Sequence, residues 1–311
     1  MNFCRLTLTD MTPWAELVAL SFGRQPAEME SLWQWFHQGW ELVAWGAWEK
    51  QRLVAQYACL VSNILTPQGT SLRVGLSVNM AVHPDFRGRG LVKQVAQPVY
   101  ATLQTMTAVS GVGFSNAAGV KVDKRSKGYG YQVLGKMQPF LLWLSPQRQR
   151  PNPLTLTTDW PHGDWPAAQA AATFRFATDP VWLNNRFGHH PFRHYRFGVW
   201  QEGTRIYGIV VDRPLRYAGL NGSTLLMAYG PDLPTLLTHW VNKIHTTGGR
   251  FVHWLATPTS AVTKALQPWG SLWSLPYSRS PYYLTAKPLT TTLPLNFMNF
   301  QHWDCIGGTI L

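Results

Sequence analysis

The stretch Val82-His83-Pro84-Asp85-Phe86-Arg87-Gly88-Arg89-Gly90-Leu91-Val92-Lys93 decides how this chain is read. Before it, Leu72 to Val82 has strand character. After it, Leu91, Val95, Val99 and Leu103 recur every four residues, the spacing of a helix with one buried face. The expected order is strand, tight glycine-bearing turn, helix. A helix start leaves backbone N–H groups without intrahelical partners, and the helix dipole adds partial positive charge there. Gly88 and Gly90 have no Cβ, so a ligand can approach the backbone closely. Arg87, Arg89 and Lys93 add formal positive charge. Together these features suit a phosphate or pyrophosphate. Two other glycine loops do not fit. A dinucleotide fold wants G-x-G-x-x-G with an acidic residue about 20 positions later, and a P-loop wants G-x-x-x-x-G-K-[ST].

The segment resembles the acyl-CoA-binding motif of the GCN5-related N-acetyltransferase (GNAT) superfamily, Arg/Gln-x-x-Gly-x-Gly/Ala. Arg87 and Gly90 fit it. Val92 stands at the last position, where the family prefers Gly or Ala, and narrows the space beside a pyrophosphate. The resemblance covers residues 1–145, whose expected order is a strand over Phe3–Leu8, two helices, three antiparallel strands, the glycine turn and a helix. It implies an α+β fold with a mixed, mostly antiparallel central sheet flanked by helices, and acetyl-CoA as co-substrate. It assigns cofactor binding to Met80 and Val82 on the strand and to Arg87, Gly88, Arg89, Gly90, Leu91 and Val92 in the turn. Val112 to Asn116 reads as the next strand, splayed away from the first to admit the pantetheine arm. The resemblance places Asn116 against that arm; the alternative is an Asn that shapes a turn.

Acyl transfer to an amine needs a deprotonated amine, a donor for the tetrahedral oxyanion and a proton for the leaving thiolate. Family members often take that proton from a Tyr four residues before a Gly-Phe pair, matched here by Gly130-Tyr131; the position holds Ser126. Family members often carry a base carboxylate on the strand before the turn. That strand has none here and offers Ser77, Asn79 and, at its end, His83. His83 titrates in the range a base near neutrality needs, and it precedes Pro84, which favours extended backbone. The catalytic candidates are therefore His83, Ser126 and Asn79, with a backbone N–H near Met80 or Val82 as oxyanion donor. Positioning alone can supply about 7 kcal/mol of such a rate, so a sparsely equipped site can still work.

Composition narrows the alternatives. Apolar residues make up 45% of the 311, enough for a sizeable core, and charged residues only 14%. Formal net charge is +12. Residues 1–150 hold 15 basic and 8 acidic side chains and the remainder 12 and 7, so the excess is spread rather than gathered into a nucleic-acid arm. Cys4, Cys59 and Cys305 are odd in number and far apart, with no metal-ligand spacing. The N-terminus lacks a basic start followed by an apolar stretch, and no apolar run is long enough to span a bilayer. The expectation is a soluble, cytoplasmic protein with no metal and no membrane insertion.

Pro146 to Pro166 is rich in Pro, Thr, Gln and Asp and reads as a linker. The second half then repeats strand and helix signals, including a helix over Leu233–His245, a strand over Phe251–Ala256, a helix over Ser260–Gln267 and a strand over Tyr282–Ala286. It resembles a second GNAT half without the Arg-x-x-Gly-x-Gly/Ala turn. The expectation is tandem GNAT-like folds: residues 1–146 with the acyl-CoA loop, a linker over 147–168, and a degenerate copy over 169–311. The resemblance implies an acyl-CoA-dependent N-acyltransferase acting on the amino group of a small molecule or sugar intermediate. The alternatives are a non-catalytic CoA-binding protein and a tRNA-dependent aminoacyltransferase of the kind that builds peptidoglycan cross-bridges. The intact glycine turn favours CoA over tRNA.

Overall fold

The computed structural model describes residues 1–123, 128–144, 152–167, 172–270, 273–274 and 282–310. In chain order the strands and helices are β1 (Asn2–Arg5), α1 (Met11–Phe22), α2 (Pro26–Gly39), β2 (Leu42–Glu49), β3 (Arg52–Leu65) and β4 (Ser71–Val82). They continue with α3 (Leu91–Thr105), β5 (Ser110–Ser115), α4 (Ala117–Asp123), β6 (Gln132–Lys136), β7 (Gln138–Trp143), β8 (Leu154–Thr157) and β9 (Arg175–Phe176). After them come α5 (Pro180–Leu183), β10 (Arg196–Glu202), β11 (Arg205–Tyr217), β12 (Leu220–Tyr229), α6 (Leu233–Thr246), β13 (Phe251–Ala256), α7 (Ala261–Leu266), β14 (Trp273–Ser274) and β15 (Tyr283–Pro288). Among the described residues no helix is long and apolar enough to cross a membrane.

The chain forms two compact units that are not consecutive halves. One holds Met1–Ile64, Ser71–Gly135 and Tyr282–Met298; the other holds Leu65–Thr70, Lys136–Pro281 and Asn299–Leu311. The difference from a division at 146 and 169 has a simple cause, an exchange of strands. β6 and β7 are separated only by Met137, yet β6 lies in the first sheet and β7 in the second. β15, from the far end of the chain, pairs antiparallel with β5 from Tyr283↔Ser115 to Pro288↔Ser110. The stretch expected as a linker contains β8, paired with β10 from Leu154↔Trp200 to Thr157↔Phe197. Its Leu-Thr-Leu-Thr alternation is a strand pattern outweighed in the sequence by the surrounding prolines.

The first sheet has the order β1-β2-β3-β4-β5-β15-β6. α1 begins where the Thr7 amide donates to Asp10 Oδ2 (2.7 Å) and ends at Gly23, whose φ of 64° lets it close the helix in the left-handed region. Trp14 of α1 and Trp33 of α2 are fully buried with ring centroids 4.5 Å apart. Leu91, Val95, Val99 and Leu103 of α3 are all buried, in one cluster with Val43, Ala47 and Ala55 of the sheet. At about 1.5–3 kcal/mol per buried aliphatic side chain, this face fixes α3, and with it the glycine turn, on the sheet.

The second sheet has the order β14-β7-β13-β12-β11-β10-β8. α6 buries Leu236, Leu237, Trp240, Val241 and Ile244, one helical face, against Ile209, Val211 and Trp254 among others. Asp212 is fully buried on β11. Arg196 grips it with Nε to Oδ1 (2.8 Å) and Nη2 to Oδ2 (2.9 Å), and the Trp240 indole donates to Oδ2 at 2.6 Å.

Candidate active site

The site grows from the way β4 leaves its neighbour. β4 and β5 are parallel partners only over Val74↔Ser110, Gly75↔Gly111 and Leu76↔Val112. Beyond this register β4 continues to Val82 and β5 to Ser115, so the two strands part. Inside the unpaired length Asn79 has φ of 35°, a left-handed conformation that a non-glycine residue adopts at a cost. Gln56 on β3, fully buried, donates its Nε2 to the Asn79 carbonyl and holds that kink. A kink of this kind turns the next main-chain amides out of the regular pleat.

β4 ends where the His83 amide donates to Val54 O (2.8 Å). A single 3-10 turn over Pro84–Phe86 follows, then Gly88 (φ 79°) and Gly90 (φ 76°). These left-handed angles are why glycine is needed here. A Cβ on Gly88 would meet nothing within 4 Å, so this part of the backbone faces open space. Gly90 is the N-cap of α3, and no described side chain caps that helix end. The first-turn amides therefore point outward with the positive end of the dipole behind them.

In front of this turn is a cleft of about 520 Å³. Met80, Val82, Arg87, Gly88, Gly90, Leu91 and Val92, seven of the residues the sequence marks for cofactor binding, line it. Ser21 and Phe22 at the end of α1, Ala81, Phe86, Val122 of α4 and Gly128 complete the wall. Arg87 turns its Nε back onto Val82 O (3.2 Å), and Arg89 sends Nη2 to Asp85 O (3.0 Å) while stacking over the Phe86 ring at 4.6 Å. Their charge stays at the turn, but Arg89 is outside the cleft lining. So is Asn116, whose Oδ1 accepts from the Gly119 amide at 2.9 Å, the hydrogen bond of a turn-forming Asn at the start of α4.

Of the three catalytic candidates, Asn79 is at the kink of β4. His83 is buried and lines a neighbouring cavity with Glu49, Arg52 and Glu16. Arg52 Nη2 approaches His83 Nε2 within hydrogen-bond distance, and since a guanidinium only donates, Nε2 is the acceptor. With Nε2 accepting, the neutral ring carries its proton on Nδ1, 3.6 Å from Asp85 Oδ2. The nitrogen a base would use is thus engaged by Arg52, while Nδ1 faces the turn. Ser126 lies outside the described residues.

Two further hydroxyls, of Tyr57 and Ser77, meet near the point where the strands part. Ser77 is the first residue of β4 beyond its last partner on β5. Tyr57 Oη can donate to Ser77 Oγ or to Tyr131 Oη, each 3.0 Å away. Burial pushes the Tyr57 and Tyr131 hydroxyls well above the ordinary tyrosine range, and pushes the adjacent Cys59 thiol up to about 12. All three stay protonated at neutral pH. The available signal was Gln56-Tyr57 inside the apolar run Leu53 to Leu60: polar groups in a buried strand need partners.

This arrangement of splayed parallel strands, a glycine turn and an open helix start defines a class, the acyl-CoA-binding fold of N-acetyltransferases. Residues 2–131 match the family model described as acetyltransferase (GNAT) domain. No curated protein matches the chain significantly. Solved structures share the fold. A GCN5-related N-acetyltransferase from Anabaena variabilis superposes with TM-score 0.66 at 11% identity, over 93% of this chain and 73% of that one. A conserved Enterococcus faecalis protein gives 0.67 at 14%, over 93% and 72%. A tandem GNAT protein from the clavulanic acid biosynthesis pathway gives 0.52 at 11%, over 94% and 99%. The first part of the chain carries a match to the GNAT acetyltransferase domain, and the whole has the tandem GNAT fold, with two mostly antiparallel sheets flanked by helices. Its chemistry is in general terms that of acyl-CoA N-acyltransferases.

Proposed function

We propose that the protein transfers an acetyl group from acetyl-CoA to the amino group of a small molecule or sugar intermediate. The observation that carries this reading is the uncapped start of α3 behind two left-handed glycines, facing a cleft of about 520 Å³. The amides of Gly88 to Val92 would hold the diphosphate. The main chain of Met80 and Val82 would hold the pantetheine arm, and the Asn79 kink would aim a Met80 amide at the oxyanion. In the transfer the amine nitrogen bonds to the thioester carbonyl carbon, the C–S bond breaks with its electron pair leaving on sulfur, and the amine's proton is released. Ser77, backed by Tyr57, is the described hydroxyl pair at the inner end of the gap and takes the role of proton donor to the thiolate. His83, held by Arg52, keeps the turn in shape.

One observation favours a second reading, CoA binding without turnover: β4 carries no carboxylate, and the imidazole at its end is already engaged. The experiment is thiol release from acetyl-CoA against a panel of small amines and amino sugars, alongside a melting curve with acetyl-CoA. The first reading expects a raised melting temperature, as for any ligand selective for the native state, and turnover on at least one amine. A raised melting temperature without turnover supports the second. No shift and no turnover defeats both.

A further inference from the structure

The second unit repeats the arrangement that makes the cleft in the first. β12 is followed by α6 and then β13, and β12 pairs in parallel with β13 from Gly222↔Phe251 to Leu225↔Trp254. Past that register β12 runs on to Tyr229 and β13 to Ala256. In the first unit the equivalent gap opens into the cleft. In the second, the chain's own last residues lie in it. Ile306 bridges antiparallel to Ala256. The Thr257 amide donates to Cys305 O (2.9 Å), and the Cys305 amide to Thr257 Oγ1 (3.1 Å). On the β12 side Gly308 lies against the Leu226 carbonyl so closely that a Cβ would collide with it. Trp303, Cys305 and Thr309 are buried.

A buried cation fastens this segment. Arg186 donates Nε to Gly308 O (3.2 Å), Nη2 to Ile310 O (2.8 Å) and Nη1 to Tyr195 Oη (3.2 Å). Among the described residues it makes no carboxylate ion pair, so the tail carbonyls are much of what compensates a desolvated guanidinium. The phosphate end of the gap is closed as well. Where β4 reaches α3 through eight residues, β12 reaches α6 through Gly230-Pro231-Asp232 alone. Asp232 Oδ1 accepts from the Thr235 amide (3.1 Å), and Pro234 has no N–H to offer. A carboxylate already sits where a phosphate would have to bind.

We infer that residues 303–310 are the resident occupant of the second gap: an extended, amide-bearing segment of this chain lies where the first unit would take a pantetheine arm, and the second unit binds no thioester. The description of the first gap as an arm slot rests on the proposed function; the occupancy of the second does not. The test uses the full chain. Hydrogen exchange is measured with and without saturating acetyl-CoA, and bound acetyl-CoA per chain is counted by native mass spectrometry. The inference expects Cys305, Thr257 and Asp304 amides to exchange as slowly as those of β13, no change in them on adding acetyl-CoA, and one acetyl-CoA per chain with its footprint within residues 80–93. Fast exchange over 303–310, a footprint there, or a second equivalent overturns it. An Arg186→Met variant is expected to speed exchange over 305–310 at least tenfold while acetyl-CoA affinity stays within twofold; unchanged exchange overturns the clamp, and if that variant does not fold, the unmodified chain still decides. If no acetyl-CoA binds at all, the proposed function fails while the exchange data still report on the occupant.

Discussion

Two strand-to-helix turns of this molecule have the same neighbours and opposite chemistry. Between β4 and α3 the chain spends eight residues, two of them left-handed glycines, and leaves the helix amides open. Between β12 and α6 it spends three, caps the helix with Asp232 and places Pro234 in the first turn. The first leaves amide donors facing a cleft; the second is a capped helix start. The difference teaches that a GNAT-like strand, helix and parallel strand does not by itself make a cofactor site. The turn must leave donors unsatisfied, which lowers local stability, and of these two turns the one before α3 does so.

That contrast can be broken or sharpened by substitution. The largest effect belongs to the second unit. Asp212→Ala leaves Arg196 and the Trp240 indole without their buried partner and is expected to destabilise by about 3–5 kcal/mol, the range for one side of a buried pair. Urea denaturation checks it, and acetyl-CoA affinity at temperatures where the variant is folded should be unchanged if the second unit is scaffold. Next is Gly90→Val in the first turn. Its φ of 76° strains a β-branched side chain by roughly 1–2 kcal/mol, and the added atoms fill the cleft mouth, so acetyl-CoA affinity measured by calorimetry should fall at least tenfold, about 1.4 kcal/mol.

Acid should act chiefly on the second unit. Burial, with Arg186 and Arg193 beside it, lowers the His190 pKa from its ordinary 6.5 to about 3. Burial also lowers His239 and His253 there, while His37 is the counterpart in the first unit. A histidine depressed in the native state binds more protons when unfolded, so stability is complete above about pH 6.5 and falls as pH drops toward 3. Allowing for the partial exposure of the ring, His190 accounts for about 1–2 kcal/mol of loss by pH 5, and His190→Asn should flatten the slope of melting temperature against pH. The smallest effect is Asp232→Ala, which removes a helix cap worth about 1 kcal/mol. It should lower the melting temperature slightly and create no second acetyl-CoA site.

Much of this was legible in the sequence because the signals are local. The turn from Val82 to Leu91 announces itself through glycine and charge, and α3 through four-residue spacing; the face read from Leu91, Val95 and Val99 is the buried one. β15 was legible as a strand, but its partner β5 is more than 160 residues away, and nothing in Tyr283 to Pro288 encodes that choice. β8 was lost among prolines. His83 was placed by its proline, while its ring was claimed by Arg52, a residue 31 positions earlier. The roles of Gln56 and Tyr57 depend on what β4 does across the sheet, which the apolar run around them does not encode. His190 accepts from the amides of Phe192 and Arg193, a local turn that its neighbours concealed.

The most direct test of the central claim compares acetyl-CoA with S-acetylpantetheine, which keeps the thioester arm and lacks the nucleotide diphosphate. Calorimetric titration of the unmodified chain is expected to favour acetyl-CoA on the order of 100-fold, about 2.8 kcal/mol, with Gly90→Val closing most of that gap. Equal affinities in the unmodified chain, or a gap that Gly90→Val leaves intact, would contradict a diphosphate held by the open amides of Gly88 to Val92.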